Sequence, residues 1–267
     1  MIQLVIFDLD NTLCDYDASL SRVRARVGII LREASIPQEP FWEAFSEIEP
    51  VMQCAMVDGF LSAAECTWRI FSEVCAKFVG CVGVLPDVMA RIFYEETVSR
   101  QRLFDDVSGA IVDLKKSGIR VAVLTEGDSA SQREKFRVLG LQQLVGSGSF
   151  YVSEELGVQK KSSGIFLRVL QDAGVSPNQA VVIGNSVKDD IWGGEAIGIR
   201  SILLDREGRM DPSYIGEKIS SLQNILEFLT HRSGAMGVNE FLPEANELGH
   251  DSTLEQRYDI CRLAYME

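Results

Sequence analysis

The chain switches between two hydrophobic periods. Short runs dominated by apolar residues occur at 2–7 (IQLVIF), 119–125 (IRVAVLT), 180–184 (AVVIG) and 201–204 (SILL), with a weaker one near 149–152. Apolar runs of this length predict strands covered on both faces. Elsewhere apolar residues recur three or four positions apart, the period of a helix with one buried face. Leu20, Val23, Val27, Ile30 and Leu31 mark such a helix over 18–34. Phe41, Phe45 and Ile48 continue the spacing, as do Leu61, Ala64, Trp68, Phe71, Cys75 and Phe78, and Pro86 suits the first turn of a further helix. Helices are also predicted over 106–117, 129–139, 162–173, 188–197 and 219–230, with Gly118, Gly140 and Gly174 closing three of them.

Strands alternating with amphipathic helices predict an α/β fold, a doubly wound parallel sheet of Rossmann-like type. The helical block 17–98 interrupts the alternation after its first strand and reads as an inserted helical domain, leaving 1–16 and 99–230 as the core. The remainder, 231–267, reads as a polar linker and a helical tail. Ser252 and Glu255 form a capping-box pattern, and Leu254, Tyr258, Cys261 and Tyr265 share a face. That face is expected to dock on the core or on a second subunit, so a monomer and a homodimer both remain open.

Charge and residue usage narrow the chemistry. The net charge of -13 repels nucleic-acid phosphate and argues against DNA or RNA as partner. No segment has the length and apolarity of a membrane span, and the first residues enter a short strand rather than a signal segment, so a cytoplasmic protein with no membrane partner is expected. The six cysteines contain no C-x-x-C pair, and reduced, mostly buried thiols are expected. The only histidines are His231 and His250, so Ser-His-Asp triads, Cys-His pairs and His-rich metal sites are disfavoured. Acid–base chemistry then falls to carboxylates, and any metal is held by oxygen, which points to a hard cation such as Mg²⁺.

In open α/β sheets ligands bind beyond the carboxyl ends of the strands. Asp8, Asp10 and Thr12 follow the first predicted strand; Thr125, Glu126 and Gly127 close the second; Gly184, Asn185 and Ser186, then Asp189 and Asp190, follow the fourth; Lys160 and Lys161 precede a helix. Each has an ordinary structural explanation, as a helix cap, a turn residue or a solvated charge. Together they are the parts of a Mg²⁺-assisted phosphoryl-transfer site.

The segments F-D-L-D-N-T-L, a later apolar strand ending in Thr, G-V-Q-K and V-I-G-N-S-V-K-D-D-I-W-G-G resemble the motifs of the haloacid dehalogenase superfamily of phosphohydrolases, over about residues 1–230. The helical insert is similar to that family's first-type cap, which closes over the substrate and excludes water. The resemblance implies that Asp8 is the nucleophile and Asp10 the general acid and then base, its backbone carbonyl also a metal ligand. Thr125 and Lys160 are implied as catalytic and substrate-binding, Glu126 and Gly127 as substrate-binding, and Asp8, Asp10, Asn185 and Asp190 as the Mg²⁺ site. Asn185 stands where the family usually has Asp, with Asp189 as a substitute for Asp190. Lys161 stands where a proline is usual, which leaves the register between Lys160 and Lys161 open. The implied activity is hydrolysis of a small phosphomonoester of nucleotide or sugar phosphate type. The family's hydrolytic dehalogenases need neither the acid two residues after the nucleophile nor a metal, so Asp10 argues for the phosphatase. A haloacid dehalogenase-type hydrolase, a phosphomutase and a catalytically degenerate binding or scaffold protein are the alternatives. Arg22, Arg24 and Arg69 are candidates to meet an anionic substrate, against a simpler reading as helix-surface charges; Trp68 reads as core.

Overall fold

The computed structural model describes residues 1–57, 61–79, 81, 85–160, 162–208 and 214–231. The predicted tail helix 251–266 and His250 lie outside them. The described chain forms two compact units, one of Met1–Arg22 with residues 95–231, the other of Val23–Tyr94.

The first unit is built on a six-stranded sheet: β1 (Leu4–Phe7), β2 (Arg120–Thr125), β3 (Phe150–Val152), β4 (Ala180–Gly184), β5 (Arg200–Leu204) and β6 (Lys218–Ile219). The strand order is β3-β2-β1-β4-β5-β6, and all neighbours run parallel. The side-chain period of two sorts the strands between two cores. Val5, Phe7, Val121, Val123, Val181 and Ile183 pack on one face with Ile111 and Leu114 of α5 (Val107–Lys116), Phe136 of α6 (Ser129–Val138) and Leu229 near the end of the described chain. Leu4, Ile6, Ala122, Leu124 and Val182 pack on the other with Ile165, Phe166, Val169 and Leu170 of the helix Ser163–Ala173. Coverage on both faces explains why these strands read as continuous apolar runs. Register puts Phe7 opposite both Val123 and Ile183, so the residues after β1, β2 and β4 emerge at one edge. The strand order reverses beside β1, which is where doubly wound sheets bind ligands.

One expected element is corrected. The helix predicted over 219–230 begins only at Ile225. Ile219 pairs with Leu204 as β6, and Asn224 adopts a left-handed conformation with φ 61° immediately before the helix. Three-residue apolar spacing alone does not reveal that Ser221 and the Leu222 N–H are fixed by Asp106 Oδ2 at 2.7 and 2.8 Å, which holds this segment extended.

The second unit is helical among its described residues: the later turns of α1 (Tyr16–Glu33), α2 (Gln38–Val57), α3 (Ala63–Ala76) and α4 (Leu85–Tyr94). Val27, Leu31, Phe41, Phe45, Phe71, Val74 and Met89 fill its interior. Phe45 and Phe71 meet with ring centroids 5.2 Å apart. Each such fully buried ring contributes roughly 2–3 kcal/mol through burial. Cys75 and Cys81 are joined as a disulfide, unlike the reduced thiols expected, while Cys14 and Cys66 carry buried thiols.

Candidate active site

The chain leaves β1 in a tight turn. Asp8 N–H donates to the Ile183 carbonyl at 3.0 Å, the N–H groups of Leu13 and Cys14 both turn back to the Leu9 carbonyl, and Asn11 adopts φ 61°. Asn tolerates that left-handed conformation better than most residues. The turn holds Asp8 and Asp10 at the sheet edge.

Asp8 is buried, and its Oδ1 accepts from Lys160 Nζ at 2.6 Å. The same ammonium lies 2.5 Å from Asp190 Oδ1. Asp190 is buried in turn, and its Oδ2 accepts from the Ser186 N–H at 2.9 Å. Gly184, the last residue of β4, makes this possible: a Cβ there would stand 2.2 Å from Asp190 Cγ. Burial pushes the Asp8 carboxyl up to about 7; Lys160 opposes that rise and Asp190 adds to it. Burial pulls the Lys160 ammonium down, but Asp190 and Asp8 outweigh it and hold the group above its ordinary range.

Asn185 faces the other side of Asp8. One terminal atom of its amide lies 3.2 Å from Asp8 Oδ2, 3.0 Å from the Asp10 carbonyl oxygen and 3.3 Å from Thr12 Oγ1. As the nitrogen, that atom donates to all three. With the amide turned over, its oxygen would face the Asp8 carboxylate, the Asp10 carbonyl and the Thr12 hydroxyl, oxygen donors of the kind Mg²⁺ takes. A carboxylate, a peptide carbonyl and an amide oxygen are all hard donors, so the residues present fit a divalent cation. No group of three or more His, Cys, Asp or Glu capable of holding a metal exists among the described residues, so the carbonyl and the amide are essential to that fit. Asp190 is committed to Lys160 and Ser186.

Asp10 has partners of its own. Lys135 Nζ lies 2.9 Å from its Oδ1 and 2.7 Å from its Oδ2, and Gln132 Nε2 donates to Oδ2 at 3.2 Å. Sequence reasoning missed both residues. The signal was present: Gln132, Lys135, Phe136 and Leu139 occupy one helical face, and all four are buried. Two polar groups in a stripe otherwise given to the core call for a buried partner. Thr125 is buried at the end of β2 with its hydroxyl 3.4 Å from the Glu126 carbonyl oxygen. Glu126 turns its carboxylate onto the Lys160 peptide N–H at 2.6 Å, and the Gly127 N–H donates to Ser153 Oγ at 3.1 Å. Thus Asp8, Lys160, Asp190 and Asn185 meet directly, Asp10 lies on the same turn with a separate ammonium, and Glu126 ties the loop after β2 to Lys160.

The haloacid dehalogenase-like hydrolase family matches residues 2–198. The chain belongs to that family. A glyceraldehyde 3-phosphate phosphatase of Methanothermobacter thermautotrophicus is 26% identical over 78% of this chain and 87% of its own. A mouse N-acylneuraminate-9-phosphatase is 27% identical over 85% of this chain and 94% of its own. A 2-haloacid dehalogenase from Pseudomonas syringae shares the fold, with TM-score 0.63 and 24% identity over 86% of this chain and 99% of that one.

Within this haloacid dehalogenase-like hydrolase the other candidates are engaged elsewhere. Asp189 Oδ2 accepts from the Ser186 hydroxyl at 2.8 Å while its N–H returns to the same hydroxyl, a helix-capping arrangement. Arg22 is tied to buried Glu96 at 2.8 Å. Arg24 lies over the Trp42 ring at 4.9 Å, and Arg69 is 3.9 Å from Glu65. Trp68 is corrected from core to surface: it is 40% exposed, and its indole N–H donates to Asp87 at 3.1 Å. Lys161 lies outside the described residues. No helix among the described residues is long and apolar enough to cross a membrane.

Proposed function

We propose that this hydrolase is a Mg²⁺-dependent phosphatase for a small phosphomonoester, acting through an aspartyl-phosphate on Asp8. The observation that carries the reading is the pair of carboxylates on one turn, each with its own buried ammonium. A dehalogenase has no use for Asp10, and a degenerate scaffold has no use for the buried Asp8–Lys160–Asp190 chain, whose desolvation costs several kcal/mol unless it is fully paired.

Asp8 Oδ1 attacks phosphorus, forming a P–O bond while the bond to the leaving oxygen breaks. Asp10 gives that oxygen its proton. Water then attacks the phosphorus, Asp10 takes a proton from it, the P–Oδ1 bond breaks and phosphate leaves. Lys160 holds Asp8 aligned and offsets charge on the phosphoryl oxygens, as does the Thr125 hydroxyl. Glu126 keeps Lys160 in place through its backbone and, with Gly127, borders the substrate. Asp8 Oδ2, the Asp10 carbonyl and the Asn185 amide would hold the cation, while Asp190, committed to Lys160 and Ser186, would act on it through Lys160. Bound there, Mg²⁺ would supply positive charge for the phosphoryl group and the developing negative charge. The helical insertion is the part this reading makes responsible for substrate choice. The relatives' substrates, a triose phosphate and a phosphorylated acyl sugar by name, support the small-phosphomonoester class.

The test is phosphate release across a panel of sugar, nucleotide and amino-acid phosphomonoesters, with Mg²⁺ and with EDTA. Turnover of at least one compound with Mg²⁺, lost with EDTA and in Asp8→Asn, is expected. Turnover by Asp8→Asn at the wild-type rate would overturn the nucleophile assignment, and full activity in EDTA would remove the metal.

A further inference from the structure

We propose that Lys135, assisted by Gln132, is a positioning residue that fixes the Asp10 carboxylate for the water-activation step; this rests on the reading of Asp10 as acid and base. Lys135 sits on α6 with only 4% of its surface exposed, a position where an apolar residue would be far cheaper to bury. Its ammonium reaches both Asp10 oxygens, at 2.9 and 2.7 Å, and stands 4.7 Å from the centre of the Tyr16 ring. Contact with both oxygens fixes the plane of the carboxylate as well as its place. Gln132 Nε2 supplies a further arm, shared between Asp10 Oδ2 at 3.2 Å and the Glu126 carbonyl at 3.0 Å. It therefore couples Asp10 to the loop carrying Thr125. Room for that arm depends on residue 127 being glycine: with φ +133°, a Cβ there would lie 2.8 Å from Gln132 Nε2.

The two catalytic carboxylates are thus held by separate cations on separate elements, Asp8 by Lys160 and Asp10 by Lys135. Partly buried ion pairs of this kind are screened less by salt than exposed ones, and removing one partner frees the other to rotate. On a substrate whose leaving group needs no proton, loss of Lys135 should leave attack by Asp8 intact and slow the step that needs a base aimed at water.

Single-turnover reactions with enzyme in excess over p-nitrophenyl phosphate separate the two steps. Release of p-nitrophenolate, a leaving group that needs no acid, reports attack by Asp8; release of phosphate reports attack by water. In Lys135→Met, nitrophenolate release should stay within about twofold of wild type while phosphate release slows roughly 10- to 100-fold, the usual size of a general-base contribution. Lys135→Arg should restore part of the loss. Gln132→Leu, which keeps the ion pair, should show the same split to a smaller degree and decides the matter if Lys135→Met does not fold. Equal slowing of both steps, or of neither, would overturn the proposal. Wild-type enzyme that turns over neither p-nitrophenyl phosphate nor any compound of the phosphomonoester panel would instead refute the phosphatase reading on which it rests.

Discussion

At Asn185 a neutral amide meets three oxygens, those of Asp8, Asp10 and Thr12, at 3.0 to 3.3 Å. As the nitrogen, the amide satisfies these oxygens without a cation; a carboxylate there would face Asp8 Oδ2 as a like charge. Asn185→Asp should therefore lower the melting temperature in EDTA, since buried like charges repel. In Mg²⁺ the added charge should tighten binding. The Mg²⁺ concentration giving half-maximal phosphate release should fall by about tenfold, or ~1.4 kcal/mol. A magnesium titration of both proteins, with melting curves at each concentration, checks this. An unchanged midpoint and unchanged metal-free melting would mean that Asn185 stands outside the cation's reach.

Among the elements, the joints around Asp106 are the ones the sequence did not announce. Arg206 donates to both Asp106 oxygens, at 2.9 and 3.0 Å, and to the Thr12 carbonyl at 3.0 Å, while Ser221 and the Leu222 N–H close on Asp106 Oδ2. One carboxylate thus binds the start of α5, the loop after β5 and the segment after β6, and through Arg206 it braces the turn two residues past Asp10. Burial would raise the Asp106 carboxyl, but Arg206, Ser221 and the Leu222 N–H outweigh it and hold it below its ordinary 3.8. A lowered folded-state value stabilises the protein above the unfolded value and is lost as the pH falls through the folded one. Asp106→Asn should cost about 2 kcal/mol at neutral pH, the size of a charge-assisted hydrogen bond. The gap to wild type should begin to narrow as pH drops below about 4 and close only below the folded-state value. Urea denaturation in steps from pH 7 downward measures both; a gap that does not narrow as the pH falls would show that the charge of Asp106 is not what stabilises the joint.

The same contrast explains which elements could be read in advance. Ala180–Gly184 was legible to the residue because a five-residue apolar run, too short for a helix and closed by Gly184, reads as a strand buried on both faces. The place of Asp8 and Asp10 at the sheet edge was legible because they directly follow an apolar run that reads as a buried strand. The extended stretch before Ile225 was not, because its reason lies in Asp106, more than 100 residues away, and pairing at that range leaves no mark on local periodicity. Gln132 and Lys135 left a mark, two polar groups in an apolar stripe, but their partner could not be read, since Asp10 lies 125 residues from Lys135.

Across the whole molecule, the parallel sheet gathers a site from segments that are distant in sequence. Lys160 is 152 residues from Asp8, and Asn185 is 173 from Thr12. The chain carries a net charge of -13, yet two of its cations are buried at this one edge. Asp8, Asp10 and Asp190 face Lys135 and Lys160, three acids against two bases. That imbalance is one a divalent cation corrects; the raised carboxyl of Asp8 has burial as its first cause, with Lys160 opposing and Asp190 adding to it. The central claim is that this edge forms a covalent phospho-enzyme at Asp8. The most direct measurement is mass spectrometry of peptides from acid-quenched Asp10→Asn protein after brief mixing with p-nitrophenyl phosphate and Mg²⁺. This variant retains the nucleophile and lacks the base for water. The account predicts a phosphoryl group on the peptide spanning Asp8, sensitive to hydroxylamine and absent from Asp8→Asn/Asp10→Asn. Release of nitrophenolate with no phosphate ever found on Asp8 would contradict it.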